Sequence, residues 1–188
     1  MTALENPPER VFTIGHSTRS AEEFLALLHR HGIQLVADVR SVPRSKRNPQ
    51  FNRETLSATL AEAGIRYAHM PELGGFRRPR PDSPNTGWKN DSFRGFADYM
   101  QTDEFRAGLE TLIAAARRDR TAILCAEAVP WRCHRSLIAD ALVFGGIPVE
   151  DILDLYHSQP HRPTPFAVRD GTRVIYPEQG TVDPAGIA

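Results

Sequence analysis

Cysteine is nearly absent from this chain, with two among 188 residues, which excludes a small scaffold stapled by disulfides. Charge of a prevailing sign is missing as well. Lys and Arg total 23 and Asp and Glu total 23, so the molecule as a whole does not select a polyanion by bulk electrostatics, and any preference for phosphate must be local. No apolar run approaches the roughly 20 residues that a membrane-spanning helix needs, and MTALENPPER lacks the basic-then-apolar order of a signal peptide. A cytoplasmic protein without a membrane partner is therefore expected. In a reducing compartment two cysteines read as thiols, metal ligands or buried small residues before they read as a disulfide, with a redox pair as a further option. Internal repeats and low-complexity tracts are also missing.

What is present suits one globular domain: 40% hydrophobic and 24% charged residues over a length that can bury a core. Val11 to Ile14 is a short apolar strand ending in Gly15-His16-Ser17-Thr18. Ser20 and Glu23 have the form of a capping box, and Phe24, Leu27 and Leu28 fall at helical spacing before Gly32. Leu35 to Val39, apolar on both faces, is a second strand of the parallel kind that delivers Asp38, Arg40 and Ser41 to its end. Asn52 is placed to cap a helix with Leu56 and Leu60 on its stripe, and Ile65 to Met70 is a third strand. The stretch 71–92 has four prolines and three glycines and is irregular. Helical spacing returns from Phe93, and Thr102 caps a second segment carrying Phe105, Leu109 and Leu112.

Thr121 to Cys125 is the fourth strand; a loop with Glu127 and Pro130 follows, and Cys133-His134-Arg135 opens a fourth helix. A fifth strand is expected at Pro148 to Leu153. Asp170-Gly171 between two apolar runs signals a β-hairpin, and the residues beyond 176 read as a tail. The alternation implies an α/β fold, a Rossmann-like three-layer sandwich with a mainly parallel five-stranded sheet over about 10–156 and a C-terminal β-hairpin over 157–176. Ligands of such a sheet bind beyond the carboxyl ends of its strands.

Four blocks carry a resemblance: TIGHS at 13–17, DVRSVPRS at 38–45, LGG at 73–75 and CAEAVPWRCHR at 125–135. In this order they resemble a bacterial and archaeal family known as domain-of-unknown-function family 488. The resemblance implies an α/β fold and a shared polar site, and supplies no reaction.

The residues themselves permit several chemistries. Cys125 reads as a buried small residue, a nucleophile or a metal ligand. With Arg132 it spells C-x6-R, longer than the anion cradles of rhodaneses and cysteine phosphatases, and Glu127 would sit inside such a cradle. The catalytic candidates are Cys125, Glu127, His16 and Asp38, the last two as proton-transfer groups. The substrate-binding candidates are Ser17, Arg40, Ser45, Cys133, His134 and Arg135, with the two guanidiniums suited to phosphate or carboxylate. A small phosphorylated or nucleotide-like ligand fits this set, and no cofactor is specified. A nucleic-acid-binding module is the second reading. Loop 40–53 has five basic and no acidic residues, and 76–94 adds arginines, so that with Phe51, Phe76 and Trp88 they offer cations and stacking surfaces. A metal or thiol-redox protein using Cys125, Cys133 and His134 is the third. Adjacent residues on a helix point about 100° apart, which argues against Cys133 and His134 sharing one ion, so no metal ligand is assigned.

Overall fold

The computed structural model describes residues 7–178. The expected lead-in before residue 7 and the expected tail beyond 178 lie outside the described residues. Helices cover both faces of one sheet, as the alternation requires. The elements run β1 (Val11–Gly15), α1 (Ala21–Arg30), β2 (Leu35–Asp38), α2 (Arg53–Glu62), β3 (Arg66–His69), α3 (Asp91–Tyr99), α4 (Asp103–Ala116), β4 (Thr121–Cys125), α5 (Arg135–Phe144) and β5 (Val149–Ile152). Short strands β6 (Ser158–Pro160), β7 (Val168–Asp170) and β8 (Arg173–Ile175) complete it. The sheet order is β3-β2-β4-β1-β5-β6, and β7 and β8 form a separate hairpin as expected.

The first five strands are parallel, and β6 is an antiparallel edge on β5 that sequence periodicity does not announce. Ser158-Gln159-Pro160 is short and polar and ends in proline, a residue that an edge strand tolerates because one side of its backbone needs no ladder partner. The sheet thus has six strands where five were expected.

Side chains of the central strands alternate between two cores, as a period of two demands. Phe12, Ile14, Val36, Ala122 and Leu124 join Phe24, Leu28, Leu56 and Leu60 from α1 and α2. Val11, Ala37, Val39, Ile123 and Cys125 join residues of α3, α4 and α5, together with Val174 and Tyr176 from the hairpin. Burying one such side chain contributes about 1.5–3 kcal/mol, so this parity also decides which polar residues can reach which face.

Three of the five described α-helices, α1, α3 and α4, start on a side-chain cap, and α2 and α5 do not. Ser20 and Glu23 form the full capping box, and the Thr102 side chain accepts from Phe105 N. Asn52 holds the N-cap position of α2, but its carboxamide oxygen accepts from Ser45 N at 2.7 Å and leaves the helix uncapped by a side chain. Asn90 starts α3 two residues ahead of the expected Phe93 by accepting from Ser92 N and Phe93 N. No described helix is long and apolar enough to cross a membrane.

Candidate functional site

β1, β4 and β2 are neighbours in the sheet, so the loops leaving their carboxyl ends share one edge. Strand parity then divides the candidates. His16 and Asp38 continue the α1/α2 face, whereas Cys125 faces α5.

On the first face the groups are fully engaged with one another. Asp38 is wholly buried and receives both Nε (2.8 Å) and Nη2 (2.6 Å) of Arg40 as well as the Tyr67 hydroxyl (2.7 Å). The remaining Arg40 nitrogen, Nη1, lies 3.3 Å from His16 Nε2. His16 Nδ1 donates to Ser17 O at 2.8 Å, so Nε2 carries the lone pair that Arg40 meets. The ring stacks on Phe51 at 4.3 Å, and burial pushes the imidazole down to about 4, which keeps it neutral at pH 7. His69 donates through Nε2 to Arg40 O at 2.9 Å and fixes the backbone from β3.

On the second face three ligating atoms converge. The sulfurs of Cys125 and Cys133 lie 3.8 and 3.7 Å from His134 Nδ1, and all three ligating atoms are within 4.8 Å of one another. Sequence periodicity placed Cys133 and His134 on a regular helix. In the structure a 3-10 turn spans Pro130–Arg132, Cys133 is extended (φ −141°, ψ 144°), and α5 begins only at Arg135. Pro130 accounts for this, since its fixed φ starts a short turn that ends before α5. The 100° argument against a shared ion therefore does not apply. Both cysteines are free and buried. The Cys125 thiol is pushed up by its hydrogen bond to Cys133 and by burial. Burial also acts to raise Cys133, but the hydrogen bond from Cys125 and the charge of Arg135 act the other way and pull that thiol down.

Arg135 is fully buried and serves the loop between these faces. Its Nη1 donates to Glu127 O at 2.6 Å and its Nη2 to Ala128 O at 3.0 Å. Two further bonds hold the same turn, from His16 N to Cys125 O (3.0 Å) and from Ser17 N to Ala126 O (2.8 Å). Ser17 adopts φ 51°, a left-handed conformation that a non-glycine residue holds only where surrounding bonds enforce it. Gly15 supplies the close approach, because a Cβ there would fall inside the Glu127 carbonyl oxygen.

The two faces meet at a cleft of about 260 Å³. Cys125, Glu127, Cys133, His134 and Arg40 line it, together with Arg132 and Ser41. Val42, Phe76 and Phe93 make its apolar wall, and Phe76 is 86% exposed. Glu127 is exposed at the mouth while its backbone is pinned. Five of the ten candidates, Cys125, Glu127, Cys133, His134 and Arg40, thus line the cleft, and His16 and Asp38 stand behind Arg40. Ser17 shapes the turn. Ser45 lies in loop 40–53, where its hydroxyl accepts from Asn48 N at 3.0 Å, and is not part of the cleft lining. A larger cavity of about 390 Å³ between α4, α5 and β8 reaches none of these residues.

Tyr67, His69, Gly75 and Phe93 also shape the site and were not singled out as site residues from sequence. The signal for Gly75 was the LGG block, since a Cβ at that position would lie 2.6 Å from His134 Nδ1. Of the aromatics invoked for nucleic-acid stacking, Phe51 is fully buried, and Trp88 is partly buried and stacks on Phe93 at 4.7 Å. Arg80 is paired with Asp82 and Arg94 with Asp91, which leaves Arg44, Lys46, Arg47, Arg53 and Arg78 exposed without an ion pair among the described residues.

A family sequence profile described as "Domain of unknown function DUF488" matches residues 20–142, well over half of the chain. The matched range takes in Asp38, Arg40 and the whole of Cys125 to Arg135, while Thr13 to Ser17 lies ahead of it. No curated protein and no solved structure matches significantly.

Proposed function

The chain belongs to domain-of-unknown-function family 488, and from that premise we propose that it is an enzyme acting on a small phosphorylated or nucleotide-like substrate in the cleft at the carboxyl edge of the sheet. The observation that carries this reading is the convergence of Cys125, Cys133 and His134, with ligating atoms within 4.8 Å, on the wall of an open cleft. Buried thiols packed only for volume need neither an imidazole nitrogen between them nor access to solvent.

The roles divide as follows. Cys125, Cys133 and His134 are the reactive centre. Glu127, exposed at the mouth on a pinned backbone, takes and returns a proton. Arg132 meets the anionic group at the rim, and Arg40, oriented by Asp38 and His16, presents positive charge from the cleft wall. Phe76 and Phe93 bound the apolar part of the ligand. Arg135 holds the turn that carries Cys125 and Glu127 in register.

The test is a thermal-shift and turnover screen of the full chain against nucleotides and phosphosugars. A true ligand at 100 times its Kd stabilises the native state by about 2.7 kcal/mol. Arg132→Ala should weaken that shift, and Glu127→Gln should abolish turnover while the shift persists. A compound turned over equally well by Glu127→Gln and Cys133→Ser would refute the assignment. The nucleic-acid reading keeps support from the exposed Arg44, Lys46, Arg47, Arg53 and Arg78 and from Phe76.

A further inference from the structure

We infer that Cys125, Cys133 and His134 form a binding site for one zinc-type divalent ion whose fourth coordination position opens into the cleft. This deepens the reading above and rests on it for the role of the cleft.

The ligand geometry is close to what such an ion requires. Zinc binds sulfur at about 2.3 Å and imidazole nitrogen at about 2.0–2.1 Å with tetrahedral angles, which sets sulfur and nitrogen about 3.6 Å apart. The two Sγ–Nδ1 separations are 3.8 and 3.7 Å. Along these two edges an ion therefore needs only a small contraction of side chains already facing one another.

The tautomer is fixed in the sense that ligation needs. His134 Nε2 lies 3.1 Å from Val39 O, and a carbonyl only accepts, so the proton is on Nε2 and the Nδ1 lone pair faces the sulfurs. A ligating histidine that donates its second nitrogen to a backbone carbonyl is the usual outer-shell arrangement of a metal site. Gly75 adds a second, independent feature. Any side chain there would fall on Nδ1, and the absent Cβ leaves that atom uncovered.

Donor chemistry selects the ion. Two thiolates and an imidazole suit zinc or a similar borderline metal rather than calcium or magnesium, which take oxygen ligands. Two thiolates also neutralise a divalent cation, so the filled site carries no net charge into a buried position. Among the described residues no fourth His, Cys, Asp or Glu joins the group. All three ligands line the cleft, so the open position faces it, with Glu127 on the same wall. Three protein ligands with one exchangeable position is the pattern of a catalytic rather than a structural site.

The experiment uses the full chain, reduced and purified without chelator. Elemental analysis should find about one zinc per chain, as a single mononuclear site requires. After removal of that metal, titration with cobalt(II) should give thiolate-to-metal charge transfer and the strong visible absorption of a tetrahedral ion. Added azide should shift that absorption by entering the open position. Cys133→Ser and His134→Gln should each weaken cobalt binding at least ten-fold while circular dichroism stays native. The wild-type cobalt spectrum serves as the readout if a variant fails to fold. A reduced wild-type chain that yields no cobalt spectrum, yet turns over a substrate and is blocked by thiol alkylation, would overturn the metal site and leave the enzyme reading standing. A cobalt spectrum in a chain that binds no small molecule would support the site and remove the functional reading.

Discussion

Replacing His161 by Gln tests how the C-terminal segment is fastened to the sheet. His161 lies between two buried carboxylates, with Nε2 2.9 Å from Asp140 Oδ1 and Nδ1 3.0 Å from Asp151 Oδ2. Asp140 also accepts from the Tyr176 hydroxyl (3.0 Å) and Thr164 N (3.1 Å), and Asp151 from the Thr13 hydroxyl (2.6 Å). The side chains of His161, Asp140 and Asp151 are 5% exposed or less. Burial alone would lower the imidazole, but the two carboxylates outweigh it and raise it from 6.5 to about 9. At about 1.4 kcal/mol per factor of ten, that rise corresponds to about 3 kcal/mol of stability. Because the folded value is raised, this contribution is complete below pH 6.5 and is lost as pH climbs through about 9. Urea unfolding followed by tryptophan fluorescence is a suitable assay, since Trp88 packs on Tyr176 at 5.8 Å. With a slope of about 2 kcal/mol per molar urea, the wild-type midpoint should fall by about 1.5 M between pH 6 and pH 10. In the unfolded chain cysteines titrate near 8.5 or so, at about the middle of this window, so the difference between wild type and His161→Gln is the decisive quantity. The variant should be less stable at pH 6 by about 3 kcal/mol, and the two proteins should converge near pH 10. A constant difference across that range would refute the charged clamp.

Three further outcomes follow from the site's construction. Arg135→Lys keeps the charge but cannot serve Glu127 O and Ala128 O with one planar fork, so stability should fall by about 2 kcal/mol and amide exchange in 126–129 should accelerate. Gly15→Ala drives a Cβ into the Glu127 carbonyl, a backbone clash that no rotamer relieves, and chemical denaturation should record a loss of about 3 kcal/mol or more. Neutralising Arg44, Lys46 and Arg47 together should leave substrate turnover intact, as these exposed side chains are absent from the cleft; a large loss of oligonucleotide affinity in that variant, with steep salt dependence in the parent, would instead revive the nucleic-acid reading.

The sheet was legible because parallel central strands are continuous apolar runs, and Val11 to Ile14, Leu35 to Val39 and Thr121 to Cys125 have no competing pattern. Cap chemistry was legible at Ser20 and Thr102 for a similar reason, since the capping bonds join residues three apart. Asn52 shows where that reasoning stops, because its side chain bonds Ser45 seven residues back in a loop that local pattern does not describe. β6 was hidden because a three-residue edge strand draws its ladder from β5 and has no periodicity of its own.

The site was partly legible for a geometrical reason. Motif reading brought Cys125, Cys133 and His134 into one block but placed the last two on a helix, where they diverge; the turn that Pro130 imposes instead brings their ligating atoms to one point. Motif reading also grouped His16, Asp38, Arg40 and Cys125 as one set of polar groups, while the pleat sends His16 and Asp38 to the α1/α2 side and Cys125 to the α5 side. Arg40 alone of these four belongs to both, bound to Asp38 behind the sheet edge and lining the cleft in front of it. That position makes it the coupling element. Side chain to side chain, a change in Asp38, His16 or Tyr67 reaches the thiol–imidazole side through the orientation of that guanidinium. Their substitution should therefore weaken substrate binding while leaving metal content unchanged, whereas substitutions of Cys133 or His134 should remove the metal first.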